Sequence, residues 1–507
     1  MFSGELVTDC STGGIVLTAP DGTHHRVWIR LSMLLQDGGA HKLTWHCKGD
    51  GGTIMCICCT VIGESSQYVD EDGEEVCIAS ISKESELTFT TDEDVWGSVD
   101  RLAMLHGTIN DELFKLRQQA AGFNLEPHGL IMDIPLRRNV KPITHYCHDW
   151  MHCLVVSGVA NIIIFQFLRA LGKSGLPDIY SMLFRYLGGW TWPKRLHGQD
   201  VHHLFTEKRK TANAKAKTFK ALASELLSLI PILAFFAATQ VMVHGICVPE
   251  CTVIVLLADL LDLFILANVG DCTDIQLRSA IDAFMAACIG ADWRQYMTPK
   301  FHWLLHFPRH LFRFGYLPSC FVLERKHKVG RRYATSITNT INDEISVLGE
   351  LLSHNLEYMK SETVFELSVG LQLPSPPNAR LRSYVVSEFA LTGREELMTS
   401  HMARIRPAGT CAVGDIAFAR SVSRNHFVAG EVLLHVSIDG ICKSVLSLFR
   451  LRSYSRAEGS AEWDMVDNIT VLDTHDLLCT VVYCKLSASV VRTLSPWRMR
   501  NMRPADN

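Results

Sequence analysis

Two pairs of metal-binding residue types stand 243 residues apart in this chain: Cys56 and Cys59 in Met55-Cys-Ile-Cys-Cys, and His302 and His306 in Thr298-Pro-Lys-Phe-His-Trp-Leu-Leu-His. Two thiolates and two neutral imidazoles fill a tetrahedral zinc shell and leave no position open for a substrate, so such an ion is structural. If the four share one ion, the chain must bring its first and third hundreds together, and no string of independent local elements satisfies that. Thr298 suits an N-cap and Pro299 a first helical residue, so a helix beginning there carries both histidines on one face, one turn apart, until Pro308 disrupts it. His310 continues the stripe as a spare donor, and Cys58 is an alternative to either cysteine. The same cysteines also read as buried free thiols, and the same histidines as satisfied residues of a core helix.

Carboxylates flank both halves. Asp37 ends the strand-like run Leu31-Ser-Met-Leu-Leu-Gln and enters Gly38-Gly39, a place suited to a metal ligand and equally to a turn. Glu324 leaves the apolar Phe321-Val-Leu and enters Arg325-Lys-His-Lys, where Arg325, Lys326 and Lys328 can meet phosphates; an i,i+4 pair with Lys328 is the alternative. Asp149 and His152, in Asp149-Trp-Met-His152, read best as structural, with the histidine bonded back to the aspartate at a helix start. The densest basic cluster is Lys208, Arg209 and Lys210 with Lys215, Lys217 and Lys220, a helical spacing that suits either a phosphate backbone or solvent.

At 507 residues, 48% hydrophobic and 20% charged, the chain can bury two or three cores. A formal net charge of -4 gives no global attraction to nucleic acid, so any DNA surface is a local basic patch. Seventeen cysteines, an odd number spread from Cys10 to Cys484, suit thiols and metal ligands in a reducing, intracellular compartment better than a disulfide scaffold. The first residues lack the pattern of a secretory signal. Leu226 to Val243 and Val253 to Val269 are apolar enough to raise a membrane reading. Pro231 and Gln240 in the first, and Asp259 and Asp262 in the second, favour buried helices of a soluble protein that has no membrane partner.

Along the chain, residues 1 to about 80 read as strands, with a turn at Pro20-Asp21-Gly22 and a solvated acidic turn from Asp70 to Glu75. From Val95 to about Phe365 the pattern is helical. Leu373-Pro-Ser-Pro-Pro-Asn is a linker, and the last hundred residues alternate like a small β-barrel, for example Phe427 to Val436.

Taken in order, Asp37, the Cys-x-x-Cys, His145-Tyr-Cys-His-Asp-Trp-Met-His, Thr298 to His306 and Leu323-Glu-Arg-Lys-His-Lys resemble the cut-and-paste DNA transposases of the CACTA, Mirage and Chapaev type and the catalytic subunit of the V(D)J recombinase, over about residues 25 to 345. The resemblance implies an α/β fold with an RNase H-like core interrupted by a large all-α insertion. The core strands would lie in 1–90, the insertion in 141–297, the helices closing the core in 298–372, a linker in 373–395 and the barrel in 396–507. It implies a nuclear protein that binds DNA, as a monomer or homo-oligomer. Asp37 and Glu324 would be the second and third catalytic acids on Mg2+, and Cys56, Cys59, His302 and His306 the ligands of structural Zn2+. A first catalytic aspartate should lie far upstream of Asp37. Only Glu5, Asp9 and Asp21 precede it, so the expected protein is a transposase lacking its N-terminal part, or a non-enzymatic DNA- or chromatin-binding derivative of one.

Overall fold

The computed structural model describes residues 12–18, 21–49, 52–61, 64–69, 75–78, 83–176, 178–194, 201–321, 331–335, 343–360, 369–405, 409–421, 425–496, 499 and 502–505. Glu324, Arg325, Lys326, Lys328, Asp9 and the acidic stretch 70–74 lie outside them. The protein is mixed α/β and its chain divides into two compact units, residues 1–170, 216–223 and 247–322 against the remainder.

In chain order the elements used below are β1 (Leu34–Gln36), α1 (Gly38–Trp45), α2 (Asp92–Leu105), β2 (Tyr146–His148), α3 (Trp150–Leu154), α4 (Glu207–Ala216), α5 (Ala223–Phe236), α6 (Val248–Ala267), α7 (Pro299–Leu304) and α8 (Phe307–Phe314). They are followed by β3 (Ile416–Arg420), β4 (His426–Ile438), β5 (Ile441–Ser455), β6 (Ser460–Asp473) and β7 (Val490–Leu494).

The first unit places the two carboxylate motifs side by side. β1 and β2 pair in parallel with Gln36 opposite His148, so Asp37 and Asp149 follow directly on adjacent strand ends. Each then caps a helix. The Asp37 carboxylate accepts from Ala40 N at 2.6 Å and starts α1. A Cβ on Gly38 would stand 3.1 Å from the Trp303 ring on α7, so a larger residue there would need that ring to give by a few tenths of an ångström. Thr91 and Asp94 cap α2 reciprocally, each side chain bonding the other's backbone. The apolar α6 is a core helix, burying Leu257, Leu260, Leu261 and Phe264 while Asp259 and Asp262 stay half-buried. Pro308 does not end the histidine helix as expected. The chain makes one turn at Leu305 and His306, and Pro308 then occupies the first turn of α8, where its missing N–H costs nothing.

Two stretches, Trp150–Lys173 and Ala223–His244, are long and apolar enough to cross a membrane. Within the protein 78% of the first and 56% of the second is buried.

The C-terminal strands of the second unit correct the barrel expectation. They form a sheet whose hydrogen-bonded path runs from Leu477–Thr480 through β3, β4, β5, β6 and β7 to Tyr483–Lys485 and Trp190–Thr191; neighbours on this path are antiparallel, and it stays open because its two end strands do not pair among the described residues. β4 and β5 are joined by Asp439-Gly440, both at positive φ (48° and 85°), the two-residue turn whose twist matches that of the strands. Phe418, Phe427, Phe449 and Trp463 build the core on one face. The segment 373–395 carries a helix, Ala379–Glu388, capped by Asn378.

Candidate metal centre

The cysteine pair sits on a turn held by backbone bonds rather than by regular structure. Thr60 N donates to Thr88 O at 3.0 Å and Thr90 N to Cys58 O at 3.1 Å, so the knuckle is fastened to the segment that leads into α2. His302 lies on α7 and His306 one turn on, at the start of α8. All four side chains are buried, and their donor atoms lie within 4.8 Å of one another. Cys56 Sγ is 3.3 Å from His306 Nε2, Cys59 Sγ is 3.2 Å from His302 Nε2, and the two Nε2 atoms are 3.2 Å apart. Ligand atoms around a tetrahedral zinc, with bonds of about 2.3 Å to sulfur and about 2.0 Å to nitrogen, are separated by roughly 3.3 to 3.8 Å. The four residues can therefore hold one such ion with small movements of the side chains.

The electrostatics agree with a site built for a cation. Burial pushes the Cys56 thiol well up, and the adjacent Cys56 thiol together with burial pushes Cys59 up. Burial and the His302 ring hold His306 well below the ordinary histidine range. Without an ion the thiols are neutral and lie beside a neutral His306 ring, and a cation is what makes the thiolates stable there. The outer shell is sparse. His302 Nδ1 is buried with no hydrogen-bond partner among the described residues, where a ligating imidazole usually donates to an orienting group.

Asp149 is spent on structure. One oxygen accepts from Met151 N at 3.2 Å and Cys320 N at 3.0 Å, and the other from His152 N at 3.1 Å and the His152 ring at 2.5 Å. This is the expected Asp-to-His bond, and it also fixes the chain at Cys320, just ahead of the segment that holds Glu324. Asp37 keeps one carboxylate oxygen on its cap, half-buried at the end of β1. Of the basic cluster, Lys208 and Lys215 are exposed on α4, Arg209 is half-buried there, and Lys217 follows, exposed and at positive φ (51°). Lys210 is diverted to Asp178 and Glu207, each at 3.3 Å.

Sequence reasoning passed over Gly38, His148 and Trp303. His148 stacks on Trp303 at 5.2 Å between ring centroids, and Trp303 abuts Gly38, so one indole ties the ends of β1 and β2 to the histidine helix. The available signal was the density of histidines from His145 to His152. No family model and no curated protein matches the chain.

Proposed function

We propose that this protein is a DNA-binding protein of the cut-and-paste transposase type, with Asp37 and Glu324 as its catalytic acids and the buried Cys2His2 centre as its structural pin. The observation that supports the reading is the convergence of Cys56 and Cys59 with His302 and His306 across 243 residues, with Asp37 and Asp149 at paired strand ends just beside it. On this reading β1 and β2 are neighbouring strands of an RNase H-like core, the helices beyond α3 are its insertion, and the pin ties the histidine helix to the cysteine turn. DNA contact falls to Lys208, Arg209, Lys215 and Lys217, with Arg325, Lys326 and Lys328 lining the route of the backbone.

Mg2+ ions held by such carboxylates would activate the attacking oxygen and stabilise the leaving one. The described carboxylates fit that set poorly. Asp149 has its lone pairs occupied by four donors, and Asp21 accepts from both the backbone and the hydroxyl of Thr23 in its turn. Asp37 is the one near β1 and β2 with an oxygen to spare, so binding without efficient cleavage is the expected behaviour.

Fluorescence anisotropy on a duplex oligonucleotide tests this. About four phosphate contacts predict that affinity falls roughly a hundredfold between about 50 and 200 mM salt. Substituting Lys208, Arg209, Lys215 and Lys217 by alanine should flatten that dependence. Absence of binding at low salt, or binding insensitive to salt, would sink the proposal. Robust Mg2+-dependent nicking that Asp37→Ala abolishes would instead establish a complete enzyme.

A further inference from the structure

Beside the Cys2His2 centre lies a second group of donors that the first ion does not use. Cys58 and His148 are buried, and their donor atoms lie, together with Cys56 Sγ, within 4.8 Å of one another. His148 Nε2 has no hydrogen-bond partner among the described residues, although its ring is held in place by stacking on Trp303 with an interplanar angle of 18°. His310, 4% exposed, leaves both ring nitrogens unpaired and shares a small cavity with Cys58, His306, Arg309 and Arg313. A buried imidazole with neither nitrogen satisfied is rare in folded proteins, and here one stands within 5.6 Å, centroid to centroid, of a second with an unpaired nitrogen. Water answers this poorly, because the donors facing one another are thiols and imidazole nitrogens of the kind that soft cations prefer.

We propose that Cys56, Cys58 and His148 hold a second soft d10 cation, joined to the first through the Cys56 thiolate. The result is a dinuclear centre in which Cys59, His302 and His306 complete the first ion. Loading the second position releases the Cys58 thiol proton to solvent and transfers no electrons. The guanidinium groups of Arg309 and Arg313 line the cavity beside Cys58. Two cations satisfy the donor set. Cu+ is stable with three soft donors, and beside Zn2+ and three thiolates it gives a cluster of zero net charge. Zn2+ requires a fourth donor, for which His310, in the same cavity as Cys58, is the candidate.

The test is elemental analysis of the full-length protein, purified under reducing conditions and normalised to quantitative amino-acid analysis. Two metal ions per chain are expected, as two zincs or as one zinc and one copper, and the identity of the second distinguishes the two cations. Cys58→Ser should lower the total by one while leaving zinc at the first position. Should that variant not fold, the cadmium-loaded wild-type protein answers by 113Cd NMR, where two resonances of equal intensity are expected. One ion per chain, or a single resonance, overturns the second site and leaves the first standing. No bound metal overturns both.

Discussion

The two units treat their most deeply buried histidines in opposite ways. In the C-terminal sheet His435 is fully buried, yet its Nδ1 meets the Ser444 hydroxyl at 2.8 Å and its Nε2 the Cys411 carbonyl at 3.0 Å, and Ser444 passes the chain on to Thr474. Trp463 likewise donates to Thr493. Ser444 and Thr493 come from strands adjacent in the sheet, and Cys411 and Thr474 from segments packed beside it, so the network closes within the chain. In the first unit His302, His148 and His310 are as deeply buried, and each leaves at least one ring nitrogen unpaired. Buried polar atoms without partners cost free energy, of order 1–3 kcal/mol each. The buried histidine of the sheet is therefore satisfied within the chain, whereas those of the first unit keep ring nitrogens that a bound ion could use.

The largest expected effect follows directly. Structural zinc contributes about 10 kcal/mol or more in small zinc-dependent folds, which exceeds the net stability of most domains. A strong chelator at neutral pH, or Cys59→Ala combined with His306→Ala, should therefore abolish hydrogen-exchange protection in residues 52–61 and 299–314. The strands His426–Ile438 and Ile441–Ser455 should keep theirs. Equal loss in both units, or loss in neither, would break the contrast.

Acid should act on the satisfied unit too, by a smaller amount. Burial lowers the His435 pKa to about 4 against an ordinary value of 6.5. Between those values the unfolded chain binds a proton that the folded chain does not, so stability falls as pH drops through that window and the loss is complete below about 4. The cost is about 3 kcal/mol at the bottom of the window. Denaturant unfolding of the sheet, followed by exchange in His426–Ile438 at pH 7 and at pH 4.5, should show most of it. His435→Gln should flatten the profile, and a wild-type sheet equally stable at both pH values would contradict the assignment.

How much of this could be read in the sequence depends on the range of the force involved. The convergence of Cys56, Cys59, His302 and His306 was legible because coordination chemistry fixes which residue types must meet, whatever lies between them. The strand from Phe427 to Val436 was legible as local alternation. Barrel closure was not, since alternation along Phe427 to Val436 specifies faces and leaves open whether the end strands pair. The effect of Pro308 was misjudged for a related reason. Proline is hostile to a helix interior and welcome in a first turn, and only the break at His306 decides which of these it meets. Trp303 carried no local mark at all. Its role comes from Gly38 and His148, which approach it from two separate strand ends.

The smallest effect tests whether unpaired groups in the first unit carry a measurable cost even away from metal. Thr91 and Thr298 both stand at helix N-caps. Thr91 accepts from Asp94 N at 3.2 Å and takes part in a reciprocal box, so Thr91→Ala should cost about 1 kcal/mol. Thr298 makes no cap bond, and its buried hydroxyl has no partner among the described residues. Replacing that hydroxyl with a methyl group in Thr298→Val removes an unsatisfied polar atom at nearly constant volume. It should therefore be neutral or raise stability by up to about 1 kcal/mol. Paired melting curves of the two metal-loaded variants decide the matter. A Thr298→Val variant as damaging as Thr91→Ala would mean that the hydroxyl does cap α7 in solution, and that the first unit satisfies more of its polar atoms than its packing implies.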